Sequence, residues 1–261
     1  MSARDAGSRA GAIVYTPNVR TEGTGPPLVL VPGLDGTGRL FYRQVPLLAR
    51  HFRVATFALR DDATNMGTLV SDLADVIRWI SNNGERAIVV GESFGGTLAM
   101  SFAVAHPELT RALVVLNSFP HFRPQYRLRL ALAGLGIMPW GAMSLVRRLT
   151  AFRLHSRYTH RSEIRRFMRE THYTTREGYV SRLRMLRQYD LRARLAEISA
   201  PTLFLAADRD HLVPAVEQAR YMAERVPRAG IRILEGHGHI CLIAPNIDLD
   251  AIITDWRPVT A

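Results

Sequence analysis

The stretch AIVVGESFGGTLAMSFAVAH, residues 87–106, decides how the rest of the chain is read. Its first residues are an unbroken apolar run of the kind seen in strands buried on both faces, and the segment after Ser93 has the make-up of a buried helix. Between them stands Gly91-Glu92-Ser93-Phe94-Gly95-Gly96. A serine raised on a sharp strand-to-helix turn needs small residues two places to either side, because the backbone there passes close to itself; Gly91 and Gly95 supply them. The bare pattern Gly-x-Ser-x-Gly arises by chance about once in ten chains of this length. Its weight comes from the strand before it and the helix after it. The plainer reading of the same residues is a glycine-rich turn whose serine caps a helix.

Working outward, similar runs recur: LVLV at 28–31, FRVATFA at 52–58, ALVVLN at 112–117, TLFLAA at 202–207 and GIRILEG at 230–236. They lack in/out alternation, which predicts a parallel sheet covered on both faces. Helical spacing occupies 39–50, 68–81, 94–105, 215–226 and 248–256, so strand and helix alternate as in a doubly wound α/β domain with a mostly parallel sheet. The alternation breaks once. Residues 119–198 carry only helical spacing, at 126–135, 142–152, 162–171 and 176–189, with Pro120, Pro124, the Gly134 and Gly136 pair, and Met138-Pro139 as breaks. The expected organisation is a core α/β domain whose first part is 1–118, a helical cap at 119–198, and the second part of the core at 199–261. No internal repeat or low-complexity tract interrupts it.

A chain of 261 residues, 47% hydrophobic and 22% charged, accommodates one globular α/β domain with an insertion. All 34 basic residues are arginine. Without lysine there is no Schiff-base or pyridoxal phosphate chemistry and no phosphate loop of the Gly-x-x-x-x-Gly-Lys type. The single cysteine, Cys241, excludes internal disulfides and cysteine-rich zinc sites, agrees with a reducing compartment, and is expected as buried filler. The opening MSARDAGSRA has no apolar signal region, and no run approaches the roughly 18 apolar residues of a membrane span. A soluble, cytoplasmic protein without stable membrane insertion is therefore expected.

The net charge of +11 is local. Residues 121–194 hold 17 arginines against four acids, or +13, and the remainder holds 17 against 19, or −2. With no aromatic stacking platform or reading motif among these arginines, a nucleic-acid partner is not expected. Solvated helix faces, on which arginine stems cover apolar surface, are the default reading. Attraction of an anionic substrate and contact with an anionic membrane are the alternatives.

A serine hydroxyl is a poor nucleophile and needs a histidine base held by a carboxylate. In a sheet of this kind the acid and then the histidine should follow the serine, each just past a later strand. Asp208-Arg209-Asp210-His211 follows TLFLAA, and His237-Gly238-His239 follows GIRILEG. On the residues alone, either aspartate and either histidine qualifies.

With these motifs the chain resembles the α/β-hydrolase fold enzymes over about 13–256. LVLVPGLDGTGRLF is similar to their oxyanion loop, GESFGG to the nucleophile elbow, PTLFLAADRDHLVP to the acid loop and GHGHICLIAP to the histidine loop. The resemblance implies Ser93 as nucleophile. It selects Asp210, four residues before the proline of Asp-x-x-Val-Pro, over Asp208, and His239 over His237. It places the oxyanion hole at the backbone N–H groups of Leu34 and Phe94. The chain departs from many members in having Pro32-Gly33 where they have His-Gly, and Pro32 has no N–H to give. Gly33, Gly36 and Gly38 do not fit the dinucleotide-binding spacing.

The implied activity is that of a serine esterase or lipase-like hydrolase with a helical cap, cleaving a small-molecule carboxylic ester through an acyl-enzyme and needing no cofactor or metal. Serine at the elbow argues against the dehalogenase and epoxide hydrolase branches, which carry aspartate there. The same machinery serves an acyltransferase, a thioesterase or a carbon–carbon bond hydrolase. A noncatalytic binding module on the same fold is the alternative from another class. Leu130, Leu132, Ile137, Met138, Trp140, Met143, Leu145, Phe152 and Phe167 are expected either to line an acyl pocket or to pack the cap on the body. The oligomeric state is left open.

Overall fold

The apolar runs assemble into one sheet because each contributes side chains to two separate cores. In the computed structural model, which describes residues 18–82, 84–123, 125–146 and 154–256, seven strands pair in one sheet. They are β1 Arg20–Glu22, β2 Pro27–Val31, β3 Arg53–Thr56, β4 Ala87–Glu92, β5 Thr110–Leu116, β6 Thr202–Ala207 and β7 Ala229–Leu234. Their order is β1-β3-β2-β4-β5-β6-β7, parallel throughout except for β1, which runs antiparallel to β3. Val29, Val31, Val89, Leu113, Val115 and Phe204 face one core, under α2 (Met66–Ile80) and α3 (Phe94–Ala105). Their neighbours Leu28, Leu30, Ile88, Val90, Val114 and Leu205 face the other, with α1 (Val45–Leu48) and α8 (Leu249–Thr254). Period-two alternation is still present, but both sets of positions are apolar because both faces are dry.

The two edges depart from this pattern. β1 is fully exposed and reads Arg-Thr-Glu, so no apolar run announces it. β7 was expected to be covered on both faces; as an edge strand it leaves Ile231 and Ile233 more than one-third exposed and buries Leu234. The expected helix at 39–50 is a 3₁₀ turn, Arg39–Phe41, followed by the short α1 with Pro46 in its first turn.

Between β5 and β6 the described residues form no strand, only the bridges His121↔Asp190 and His155↔Ile240. They form α4 (Gln125–Ile137), α5 (Arg161–Glu170) and α6 (Arg176–Gln188), followed after β6 by α7 (Ala215–Ala223). Helix α6 starts where the Thr175 hydroxyl accepts a hydrogen bond from Gly178 N, 3.2 Å. The Gly134 and Gly136 pair does not break α4, which runs through both. Each glycine costs about 1 kcal/mol relative to alanine but blocks no hydrogen bond, whereas Pro139 does and ends the helix. Residues 143–146 begin the helix expected at 142–152, whose remainder, like Pro124, lies outside the described residues.

Candidate active site

The turn after β4 places Ser93 in the left-handed half of backbone space, φ 55° and ψ −118°. A non-glycine residue there carries a cost of order 1–3 kcal/mol and persists only when its surroundings dictate it. A side chain on Gly91 would collide with Gly95 O, and one on Gly95 with Val31 O; one on Gly96 would press on the Ser118 side chain. Leu116 O accepts from Ser93 N at 2.9 Å, and Ser118 Oγ donates to Ser93 O at 2.7 Å, so the end of β5 and the residues just past it hold the elbow at two points.

His239 Nε2 lies 3.0 Å from Ser93 Oγ, and His239 Nδ1 lies 2.6 Å from Asp210 Oδ2. The Asp210 side chain is 1% exposed and its other oxygen accepts from Leu212 N and Val213 N at 2.8 and 3.0 Å. The acid loop thus folds around its own carboxylate. Burial works against charge on His239, but the hydrogen bond and charge of Asp210, joined by Glu92, outweigh it and raise the imidazole above its ordinary value. Asp208 does a different job: its carboxylate accepts from Gly236 N at 2.6 Å and ties the acid loop to the histidine loop. His237 is buried, with Nε2 3.3 Å from Asn246 Nδ2. Of the two aspartates and two histidines, the pair facing Ser93 is Asp210 and His239.

The loop after β2 runs past the serine: a Cβ on Gly33 would stand 3.7 Å from Ser93 Cβ and 3.5 Å from Glu92 O. Leu34 comes next, and Phe94 opens α3, where first-turn N–H groups have no acceptor within the helix. The loop's shape is set from outside. Arg182 of α6, only 2% exposed, donates through Nε to Leu34 O at 3.1 Å and through Nη2 to Asp35 O at 3.3 Å, and pairs with Asp61 at 3.4 Å. Gly36 makes room, since a side chain there would collide with the guanidinium.

Sequence reasoning missed Arg182 and Asn117. Asn117, at φ 47°, donates through Nδ2 to His239 O at 2.8 Å and accepts at Oδ1 from Ala207 N at 2.8 Å, joining the ends of β5 and β6 to the histidine loop. Its one signal in sequence was an asparagine closing an apolar run, a residue that tolerates left-handed backbone. Cys241 is fully buried beside Asn117, and burial pushes its thiol well above the ordinary value.

Met143 and Phe167 of the inserted segment are buried, and Leu132, Met138 and Trp140 pack partly buried against the larger core. Leu130, Ile137 and Leu145 were expected to line a pocket or pack inward; at 67%, 89% and 56% exposure they do neither, because they occupy the outward side of their segment. Phe152 lies outside the described residues. Among the described residues no group of histidine, cysteine, aspartate or glutamate is placed to hold a metal ion.

A model of the alpha/beta hydrolase fold matches residues 26–244. The chain is 27% identical over 242 residues to a Serratia proteamaculans protein named "Putative carbamate hydrolase RutD", covering 88% of this chain and 90% of that one. Among solved structures it is similar to a thermophilic esterase from Thermogutta terrifontis, with TM-score 0.81, 21% identity and 94% of each chain covered. It is also similar to the enol-lactonase from Burkholderia xenovorans LB400, with TM-score 0.72, 20% identity and 86% and 89% covered.

Proposed function

The chain belongs to the alpha/beta hydrolase fold family, and on that premise we propose that it is a serine hydrolase cleaving a carboxylic ester through Ser93, His239 and Asp210. The observation that carries this reading is the unbroken relay from Ser93 Oγ through the imidazole to a buried carboxylate, at 3.0 and 2.6 Å. Ser93 Oγ attacks the acyl carbonyl while His239 Nε2 takes its proton. Asp210 holds Nδ1–H, fixing the tautomer that leaves Nε2 free to act as base. The carbonyl oxygen, now negative, is met by the N–H groups of Leu34 and Phe94, each such donor contributing roughly 10²–10³ in turnover. The C–O bond then breaks, His239 returns the proton to the leaving alcohol, and water repeats the sequence to free the acid.

Residues 119–198 are a cap on this site, inserted between the core parts 1–118 and 199–261. Two contacts support that role: Arg182 reaches the oxyanion loop, and a side chain on Gly238 would stand only 2.7 Å from Leu154 O and His155 O, so the insertion presses on the histidine loop too.

Ser93→Ala is expected to lower turnover of p-nitrophenyl esters by about 10⁴–10⁶ with the fold intact by circular dichroism. Near-normal turnover refutes the assignment. A second reading, carbamate cleavage by the same relay, is favoured by the relatives named RutD. A panel of matched esters, thioesters and carbamates, ranked by kcat/KM, separates the readings.

A further inference from the structure

Helix α4 is apolar on both sides. Leu132 and Leu135 turn inward against the larger core. On the opposite side Tyr126, Leu130, Ala133 and Ile137 stand exposed, spaced so that they share about 60° of arc at 3.6 residues per turn. Ile137 is 89% exposed, Leu130 67% and Tyr126 59%. Beyond Pro139, Leu145 adds another at 56%. Of the ten large apolar side chains exposed among the described residues, five fall within 126–146. That clustering is what marks a surface built to be covered.

The charge around this stripe says what covers it. The stretch of sequence that carries it, 109–162, holds no aspartate or glutamate. Exposed Arg129 flanks the stripe on α4, and exposed Arg123 precedes the helix. A second copy of the chain would bring these like charges face to face. An acyl chain of a substrate needs a concave wall, which side chains this exposed do not make. An anionic phospholipid surface satisfies both features, with apolar side chains entering the acyl boundary and guanidinium groups meeting the phosphates. No helix among the described residues is long and apolar enough to cross a membrane, so the helix would lie on the surface. We propose that the exposed face of α4 with Leu145 docks the protein on anionic lipid bilayers. This inference stands independently of the chemistry assigned to Ser93.

The test is sedimentation of the full chain with vesicles of phosphatidylcholine alone or with about 30 mol % phosphatidylglycerol, at about 0.1 M salt. Binding is expected only to the mixed vesicles. Leu130→Ser with Ile137→Ser should weaken it at least tenfold, and Arg123→Gln with Arg129→Gln about fivefold per arginine. Turnover of a short soluble ester should be unchanged in both pairs. Equal binding to neutral vesicles, no binding to either, or undiminished binding by the apolar pair overturns the proposal. A dimer in analytical ultracentrifugation that the apolar pair dissociates assigns the face to a second copy, and loss of soluble-ester turnover assigns it to substrate; either result also overturns it.

Discussion

Glu92 is the last residue of β4, next to Ser93, and its carboxyl is pushed up to about 7. Burial is the main cause; the His239 charge opposes it, and the negative charges of Asp35 and Asp210 add to it. Because Glu92 in turn raises His239, Glu92→Gln removes a negative charge that favours the imidazolium. The histidine must be neutral to act as base, so the acid limb of kcat/KM against pH should move to lower pH in the variant. An unmoved limb rules out the coupling. Stability gives a second readout. A carboxyl whose folded pKa lies above its unfolded value favours folding while protonated and loses that contribution as pH rises through the folded pKa. Denaturant unfolding of Glu92→Gln should therefore show it gaining on the wild type from about pH 4.5 to about pH 7. At Gly95 the constraint is steric. A methyl group would meet the carbonyls of Val31 and Pro32, both backbone, so Gly95→Ala should cost about 2–4 kcal/mol in urea unfolding.

At the scale of elements, α6 and the loop after β2 act together through Arg182. Its guanidinium satisfies two successive carbonyls and faces Asp61, an arrangement that a single ammonium cannot reproduce. If the Leu34 N–H is an oxyanion donor, loosening this loop lowers the transition-state term more than substrate binding. Arg182→Met and Arg182→Lys should each reduce kcat by roughly 10- to 10²-fold with KM within about threefold of wild type. A parallel rise in KM with kcat preserved would make Arg182 a binding residue instead. Asn117 plays the corresponding part on the other side of the serine, tying two strand ends to the backbone of His239.

Across the whole molecule the two cores share one sheet, and the inserted segment is tied to it at several points. Tyr189 Oη donates to Thr97 O at 3.1 Å, Arg39 Nε donates to Glu170 Oε2 at 2.7 Å, and Met185 and Leu186 are buried in the larger core. A segment so anchored is expected to melt with the body. Trp140, in the insertion, reports on it once Trp79→Phe and Trp256→Phe silence the other two tryptophans. Its fluorescence transition should coincide with loss of far-ultraviolet circular dichroism. An earlier fluorescence transition would show that the insertion unfolds by itself.

The chain's local chemistry was sufficient for the parallel strands, the helices after β3, β4, β6 and β7, and the glycine-framed serine, because apolar period and turn residues act over a few neighbours. It left Asp208 and Asp210, and His237 and His239, as equivalent candidates on their chemistry alone, since two residues along a loop change little in composition. Tertiary structure separates them by direction: Asp210 is folded under the imidazole by the amides of Leu212 and Val213, while Asp208 is spent on Gly236. The edge character of β7, the buried role of Arg182 and the outward side of α4 were likewise decided only in three dimensions. An arginine or a leucine has the same intrinsic preference wherever it stands; what fixes its role is which distant backbone, if any, arrives to meet it.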